Sequence, residues 1–140
     1  MHIAPILAQV GGAYIGVLCK AESHHGPANL GDQRPDLFII DAQYRCMKGL
    51  TNRTPAQWGD LIRSASDHPG PFPILTVFHG DMDPMVDDQN MIELVKQWTN
   101  INNADLMPDE DDLFRGHTHR IYHDDSGRPV VETYHIIGMP

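Results

Sequence analysis

The chain has 140 residues, 41% of them hydrophobic and 21% charged, and a formal net charge of -9. That length supports one domain with an ordinary core, the composition is that of a globular protein, and no apolar run is long enough to cross a bilayer. The acidic balance excludes nucleic acid and anionic membrane as partners, because binding phosphate needs clustered Lys and Arg.

Met1 to Cys19 is apolar enough to suggest a signal peptide. It lacks the other parts of one: no Lys or Arg precedes the apolar stretch, Gln9 and Gly11-Gly12 interrupt it, and Leu18 is not the small residue a cleavage site needs. The segment reads instead as a helix end at Ile3 to Val10, a break at Gly11-Gly12, and a buried strand at Ala13 to Leu18. Lys20 to Asp36, rich in Gly, Pro, Asn, Asp and His, is a surface loop. Two cysteines, Cys19 and Cys46, are too few for a disulfide scaffold; a single pair in an oxidising compartment and two buried thiols both remain open.

Leu37 to Met47 reads as a helix carrying Phe38, Ile39, Ala42 and Met47 toward a core and ending at Gly49. Thr54-Pro55-Ala56-Gln57 starts a second helix: Thr caps, Pro suits the first helical position, and Gln reaches back to the cap. Its buried stripe is Trp58, Leu61, Ile62 and Ala65, and it stops before Asp67-His68-Pro69-Gly70.

Ile74 to Phe78 has the apolar, β-branched and aromatic character of a strand buried on both faces of a parallel sheet. The strand runs into His79-Gly80-Asp81-Met82-Asp83-Pro84-Met85-Val86, an acidic loop at the carboxyl end where open α/β sheets place their chemistry. Asp87 or Asp88 then caps a helix whose Met91, Leu94, Val95 and Trp98 form one apolar stripe. Thr99 to Asp112 reads as a self-repelling acidic loop without the spacing or glycine of a calcium site. His117 to His123 and Val130 to Ile137 flank the turn residues Asp124 to Arg128 and make a β-hairpin. On that hairpin His117, His119 and His123 share a face if the strand stays regular, either a zinc face needing one more ligand or polar decoration of an exposed edge; the second reading is preferred, with no metal.

HGDMDPMV followed by a helix ending in QW resembles the poly(3-hydroxybutyrate) depolymerase-type esterases, α/β-hydrolases whose triad acid is the second Asp of an HGxxDxxV pattern. By that match the acid is Asp83. The resemblance continues through Cys46-Met47-Lys48-Gly49, the TPAQWGDLIR run at Thr54 to Arg63, Gly70-Pro71 and VETYHIIGM at Val131 to Met139. It covers roughly Ala42 to the end and, more weakly, Gly11 to Leu18. It implies an α/β class, with residues 1–140 as a single incomplete α/β-hydrolase domain: the C-terminal part of a mostly parallel sheet flanked by helices and closing with a hairpin. It also implies hydrolysis of carboxylic esters, of polyhydroxyalkanoate or feruloyl type, outside the cell and without cofactor. Secreted esterases of this type often contain disulfides, and a Cys19–Cys46 pair is the minority reading beside two buried thiols.

Such an esterase needs a serine on a G-x-S-x-G turn, with the acid and then the histidine following in the chain. Ser23, Ser64, Ser66 and Ser126 all lack the bracketing glycines, and no oxyanion-hole loop is recognisable. The family's histidine follows the last strand in a G-M-x-H pattern, and this sequence ends at Gly138-Met139-Pro140. The chain is thus expected to carry only the acid, with Asp81 and Asp87 as loop and cap residues and His79 as a packed residue. It is expected to be inactive alone and to self-associate through an uncovered sheet edge. The alternative is a non-catalytic binding or interaction module that reuses this part of the hydrolase fold.

Overall fold

The computed structural model describes residues 5–10, 13–18, 44–65 and 68–140. In chain order the elements are β1 (Pro5–Val10), β2 (Ala13–Leu18), α1 (Pro55–Ala65), β3 (Leu75–Gly80), α2 (Gln89–Ile101), β4 (Glu110–Phe114), β5 (His117–His123) and β6 (Pro129–Ile136). β1 and β2 pair antiparallel as a separate ribbon, with Val10 opposite Ala13. The helix expected over Ile3 to Val10 is therefore a strand from Pro5 onward. Two residues separate the runs in sequence, the commonest length for a hairpin connection, and six residues are short for a helix. The loop expected over Lys20 to Asp36 lies outside the described residues, as does most of the helix expected over Leu37 to Met47. Its final turn is present as helical residues 44–47, and Gly49 closes it at φ 64°. Cys46 is disulfide-bonded, and Cys19 lies outside the described residues.

The main sheet has four strands in the order β3-β6-β5-β4. β3 and β6 run parallel, while β6 with β5 and β5 with β4 are antiparallel. The sheet and helices make an α/β arrangement, but within the described residues the sheet is mixed rather than mostly parallel. Short turns join β4, β5 and β6, and only the long crossover through α2 can bring β6 alongside β3 in parallel. Arg115 and Gly116, with φ 53° and 87°, make the two-residue turn between β4 and β5. Between β5 and β6, Asp124 accepts hydrogen bonds from Ser126 N at 3.0 Å and Arg128 N at 3.1 Å, fixing the expected turn.

The acidic stretch Thr99 to Asp112 divides, contrary to expectation. Its start completes α2, and its end is the outer strand β4, exposed throughout. The carboxylates do not simply repel one another, because three of the five face a base on β5: Asp109 lies 3.2 Å from the His123 ring, Asp111 3.1 Å from Arg120 and Asp112 2.9 Å from His119.

α2 packs on one face of the sheet. Leu94, Val95, Trp98 and Ile101 meet Leu75 and Val77 from β3, Tyr122 from β5 and Val130 and Val131 from β6. Full burial of an aliphatic side chain is worth about 1.5–3 kcal/mol, so this stripe holds the unit together. β3 is not buried on both faces: Phe78 is 63% exposed, and Ile74 just before the strand 44%, because among the described residues a helix covers only one side. α1 packs on α2 and carries the expected capping box, Gln57 N donating to Thr54 Oγ1 at 3.2 Å and Thr54 N to Gln57 Oε1 at 2.9 Å. Trp58 is buried and Leu61 and Ile62 partly so, but Ala65 is exposed, since it lies in the last turn beyond the contact with α2. Gly59 permits the helices' close approach: a Cβ there would sit 1.9 Å from Asn100 Oδ1.

Candidate functional site

β3 and β6 run in the same direction with Gly80 opposite Ile136, so the loop after β3 and the segment after β6 leave the sheet side by side. Two backbone bonds and one backbone-to-side-chain bond join them. Asp81 N donates to Ile136 O at 3.1 Å, Met82 N to Met139 O at 3.0 Å, and Gly138 N to Asp81 Oδ1 at 2.7 Å. Glycine is required at position 80, where a Cβ would lie 2.1 Å from Met139 O.

The other side of the loop is braced by residues 47–49. Lys48 Nζ donates to Pro84 O at 2.8 Å, and Met47 O accepts both Asp87 N at 2.7 Å and Asn90 Nδ2 at 3.0 Å. Asp87 Oδ1 accepts Gln89 N at 3.0 Å at the start of α2, so Asp87 rather than Asp88 supplies the capping side chain.

Between these braces sits Asp83, partly exposed. Its Oδ1 accepts Met85 N at 2.7 Å and Val86 N at 3.0 Å. The Val86 and Met85 N–H groups hold its carboxyl below the ordinary aspartate range, with a smaller opposing effect from burial. Among the described residues its Oδ2 accepts no hydrogen bond. The carboxylate is therefore ionised, fixed through one oxygen and open at the other, an arrangement able to receive an N–H and steady a positive charge.

No described histidine or serine hydrogen-bonds Asp83, although His79 is near enough to help lower its pKa electrostatically. His79 stacks on His135 with ring centroids 6.4 Å apart. Ser64 donates to Leu61 O within α1, Ser126 sits in the β5–β6 turn, and Ser23 and Ser66 lie outside the described residues. The three histidines of β5 form no metal centre among the described residues. His117 Nδ1 accepts Ile137 N at 3.2 Å, His123 faces Asp109, and the register shifts between Tyr122 and His123.

An arrangement not foreseen from the sequence surrounds His119. Its Nδ1 meets Asp112 of β4 at 2.9 Å and its Nε2 meets Glu132 of β6 at 2.9 Å, while its ring stacks on Tyr134 at 4.5 Å. The signal was present in the two-residue turn Arg115-Gly116, which sets Asp112 opposite His119.

Comparison with solved structures gives an acetyl xylan esterase from Aspergillus awamori, with a TM-score of 0.59 and 22% identity over 68% of this chain and 35% of that one. The fold is thus a partial α/β-hydrolase-like fold. No protein-family model matches the chain. Among curated proteins, the chain is 41% identical over 101 residues to poly(3-hydroxyalkanoate) depolymerase C of Paucimonas lemoignei, covering 71% of this chain and 24% of that protein. It is 36% identical over 93 residues to an acetylxylan esterase of Coprinopsis cinerea, covering 64% and 24%. It is 35% identical over 81 residues to a feruloyl esterase B of Thermothelomyces thermophilus, covering 56% and 28%. These relatives support an esterase hydrolase family over part of the chain's length, and the chain spans about a quarter of the length of the curated relatives it matches.

Proposed function

We propose that the chain carries the acid limb of a serine carboxylic-ester hydrolase, with Asp83 as the triad acid. The observation that carries this reading is the Asp83 carboxylate itself, tied by Oδ1 to two backbone N–H groups and open at Oδ2, at the carboxyl ends of two parallel strands. A triad acid accepts the imidazole N–H, fixes its tautomer and stabilises the imidazolium. The position of the loop adds support, since the stretches around Met47 to Gly49 and Gly138-Met139, both part of the family resemblance, converge on it. The serine and histidine would come from polypeptide other than these 140 residues, which form a single incomplete domain in this reading. The substrate class is a carboxylic ester, with polyester chains or feruloyl-type esters as its two forms. The disulfide at Cys46 supports an extracellular setting.

Two measurements test the reading. The 140-residue chain alone should show no saturable turnover of short acyl esters above buffer, and turnover abolished by Asp83→Ala would show that the chain carries a nucleophile of its own. In a chimera where this chain replaces the matching quarter of the Paucimonas lemoignei depolymerase, Asp83→Asn should lower kcat by about 10³- to 10⁴-fold. An active chimera whose kcat changes less than about tenfold on that substitution rules Asp83 out as the acid.

A second reading, a non-catalytic interaction module, draws on the open face of the sheet. Phe78, 63% exposed, stacks on Tyr134 at 4.7 Å, and Phe114, 51% exposed, lies 5.9 Å from the same ring. Uncovered apolar surface of this kind also supports self-association. A monodisperse monomer with a cooperative melt favours the module; oligomers or aggregates favour the incomplete hydrolase.

A further inference from the structure

We propose that His119 is a pH-set latch holding the outer strand β4 on the sheet, through simultaneous bonds to Asp112 of β4 and Glu132 of β6. Both ring nitrogens face carboxylate oxygens at 2.9 Å. Only the imidazolium can donate to both, because a neutral ring carries one N–H and turns a lone pair toward the other carboxylate. Loss of one proton therefore replaces a charge-assisted bond with a lone-pair repulsion.

The two carboxylates are not equal partners. Glu132 also accepts Tyr134 OH at 2.8 Å and Thr76 Oγ1 at 3.4 Å, and its side chain is 29% exposed. The Asp112 side chain is 63% exposed and makes no other side-chain bond among the described residues. The neutral ring keeps its proton on Nε2 toward Glu132, and Asp112 is the partner released. β4 then keeps its backbone pairing with β5 but loses the side-chain tie across it, so it frays more readily from that edge.

The remaining charged groups around the latch do not reproduce this switch. From β4, Asp111 pairs with Arg120 of β5 at 3.1 Å, a contact that does not involve the His119 ring. Asp109 is bound by His123 N at 2.6 Å as well as by the His123 ring, so a backbone bond holds it whatever the charge on that ring. From β6, Tyr134 bonds Glu132, which raises the phenol further above its ordinary range and keeps it neutral. His117, on the same face of β5, accepts from Ile137 N.

The bond to Glu132 raises the His119 pKa above 6.5, burial opposes it, and Asp112 raises it further. The latch is accordingly closed below pH 6.5 and opens as pH rises through the raised value. Hydrogen exchange on the whole chain between about pH 6 and about pH 9, corrected for intrinsic rates, tests it. Protection of β4 amides should fall about tenfold or more across that range while β6 amides stay level. In Asp112→Asn the side-chain amide can donate to the neutral ring or accept from the charged one, so β4 should remain protected at both ends of the range. In His119→Gln, β4 should be weakly protected at both ends, with unchanged β6 protection showing that the sheet has formed. Wild-type β4 protection that follows β6 within about twofold overturns the latch, as does an Asp112→Asn chain with the wild-type pH dependence.

Discussion

Replacing Glu93 by Ala should destabilise the chain by about 3 kcal/mol. The Glu93 carboxylate, only 5% exposed, is the hub between α1, α2 and the segment before α1. Its Oε2 accepts Trp58 Nε1 and Arg53 N, and its Oε1 accepts Gln89 Nε2 and Lys96 Nζ. Burial pushes its pKa up, but these donors outweigh burial and hold it below the ordinary glutamate value. Charge-assisted bonds are worth about 1.5–3 kcal/mol each, but four on one carboxylate are not additive, and unpairing a buried charge costs about 3–5 kcal/mol. Lys96, with 17% of its side chain exposed, can turn to water, which places the loss at the lower end. For a chain of this size that corresponds to a fall in Tm of about 10 °C. Glu93→Gln keeps one acceptor for Trp58 and Arg53 but turns an NH₂ toward the other donors, so it should lie between the two. Thermal melts followed by far-UV circular dichroism provide the measurement. An Ala variant melting within about 2 °C of the parent would show that the hub contributes nothing net.

Gly80→Ala places a methyl 2.1 Å from the Met139 carbonyl oxygen, so residues 137–140 must move away; exchange at the Met82 and Gly138 amides should rise about tenfold or more while α2 is unaffected. Gln97 is 1% exposed, and its Nε2 finds no hydrogen-bond partner among the described residues, so Gln97→Met should raise stability by about 1 kcal/mol in urea unfolding. Folding holds the Glu93, Glu132, Asp83 and Asp109 carboxyls below their ordinary values, which makes their stabilising contribution present above about pH 4.5 and lost as pH falls. The urea midpoint should therefore drop steadily on acidification below that point, and a midpoint unchanged to about pH 3 would contradict the bonding described for these groups.

What the sequence made legible is mostly local. The Thr54 capping box, the β3 run, the apolar stripe of α2 and the Asp124 turn each depend on residues within a few positions of one another, and all are present. Where pairing decides the outcome, the reading was less complete. Pro5 to Val10 is apolar and could end a helix, and only its antiparallel partner β2 makes it a strand. Glu110 to Phe114 looks like a solvated acidic loop until the Arg115-Gly116 turn brings His119 and Arg120 across from it. The family pattern singled out Asp83, but nothing local predicts that Met47, Lys48 and Gly138 would brace its loop. Those contacts span 36 residues from Lys48 to Pro84 and 57 from Asp81 to Gly138.

The parallel register links these long-range contacts to the chemistry proposed for the loop. Gly80 pairs with Ile136, and Asp83 and Met139 each lie three residues beyond that pair. The Asp83 loop and the segment after β6 therefore emerge at the same height, with Met82 N bonded to Met139 O between them. A slip of one residue in this pairing would turn the side chains of one strand, Val131 of β6 or Val77 of β3, away from the α2-covered side, so burial of those side chains enforces the register. The core under α2 thus fixes the relative position of two loops that have little apolar content of their own. An acid and a base brought by these two loops would inherit that alignment from Leu75, Val77 and Val131, and substitutions in the core should disturb the Asp81–Gly138 contact before they reach Asp83 itself.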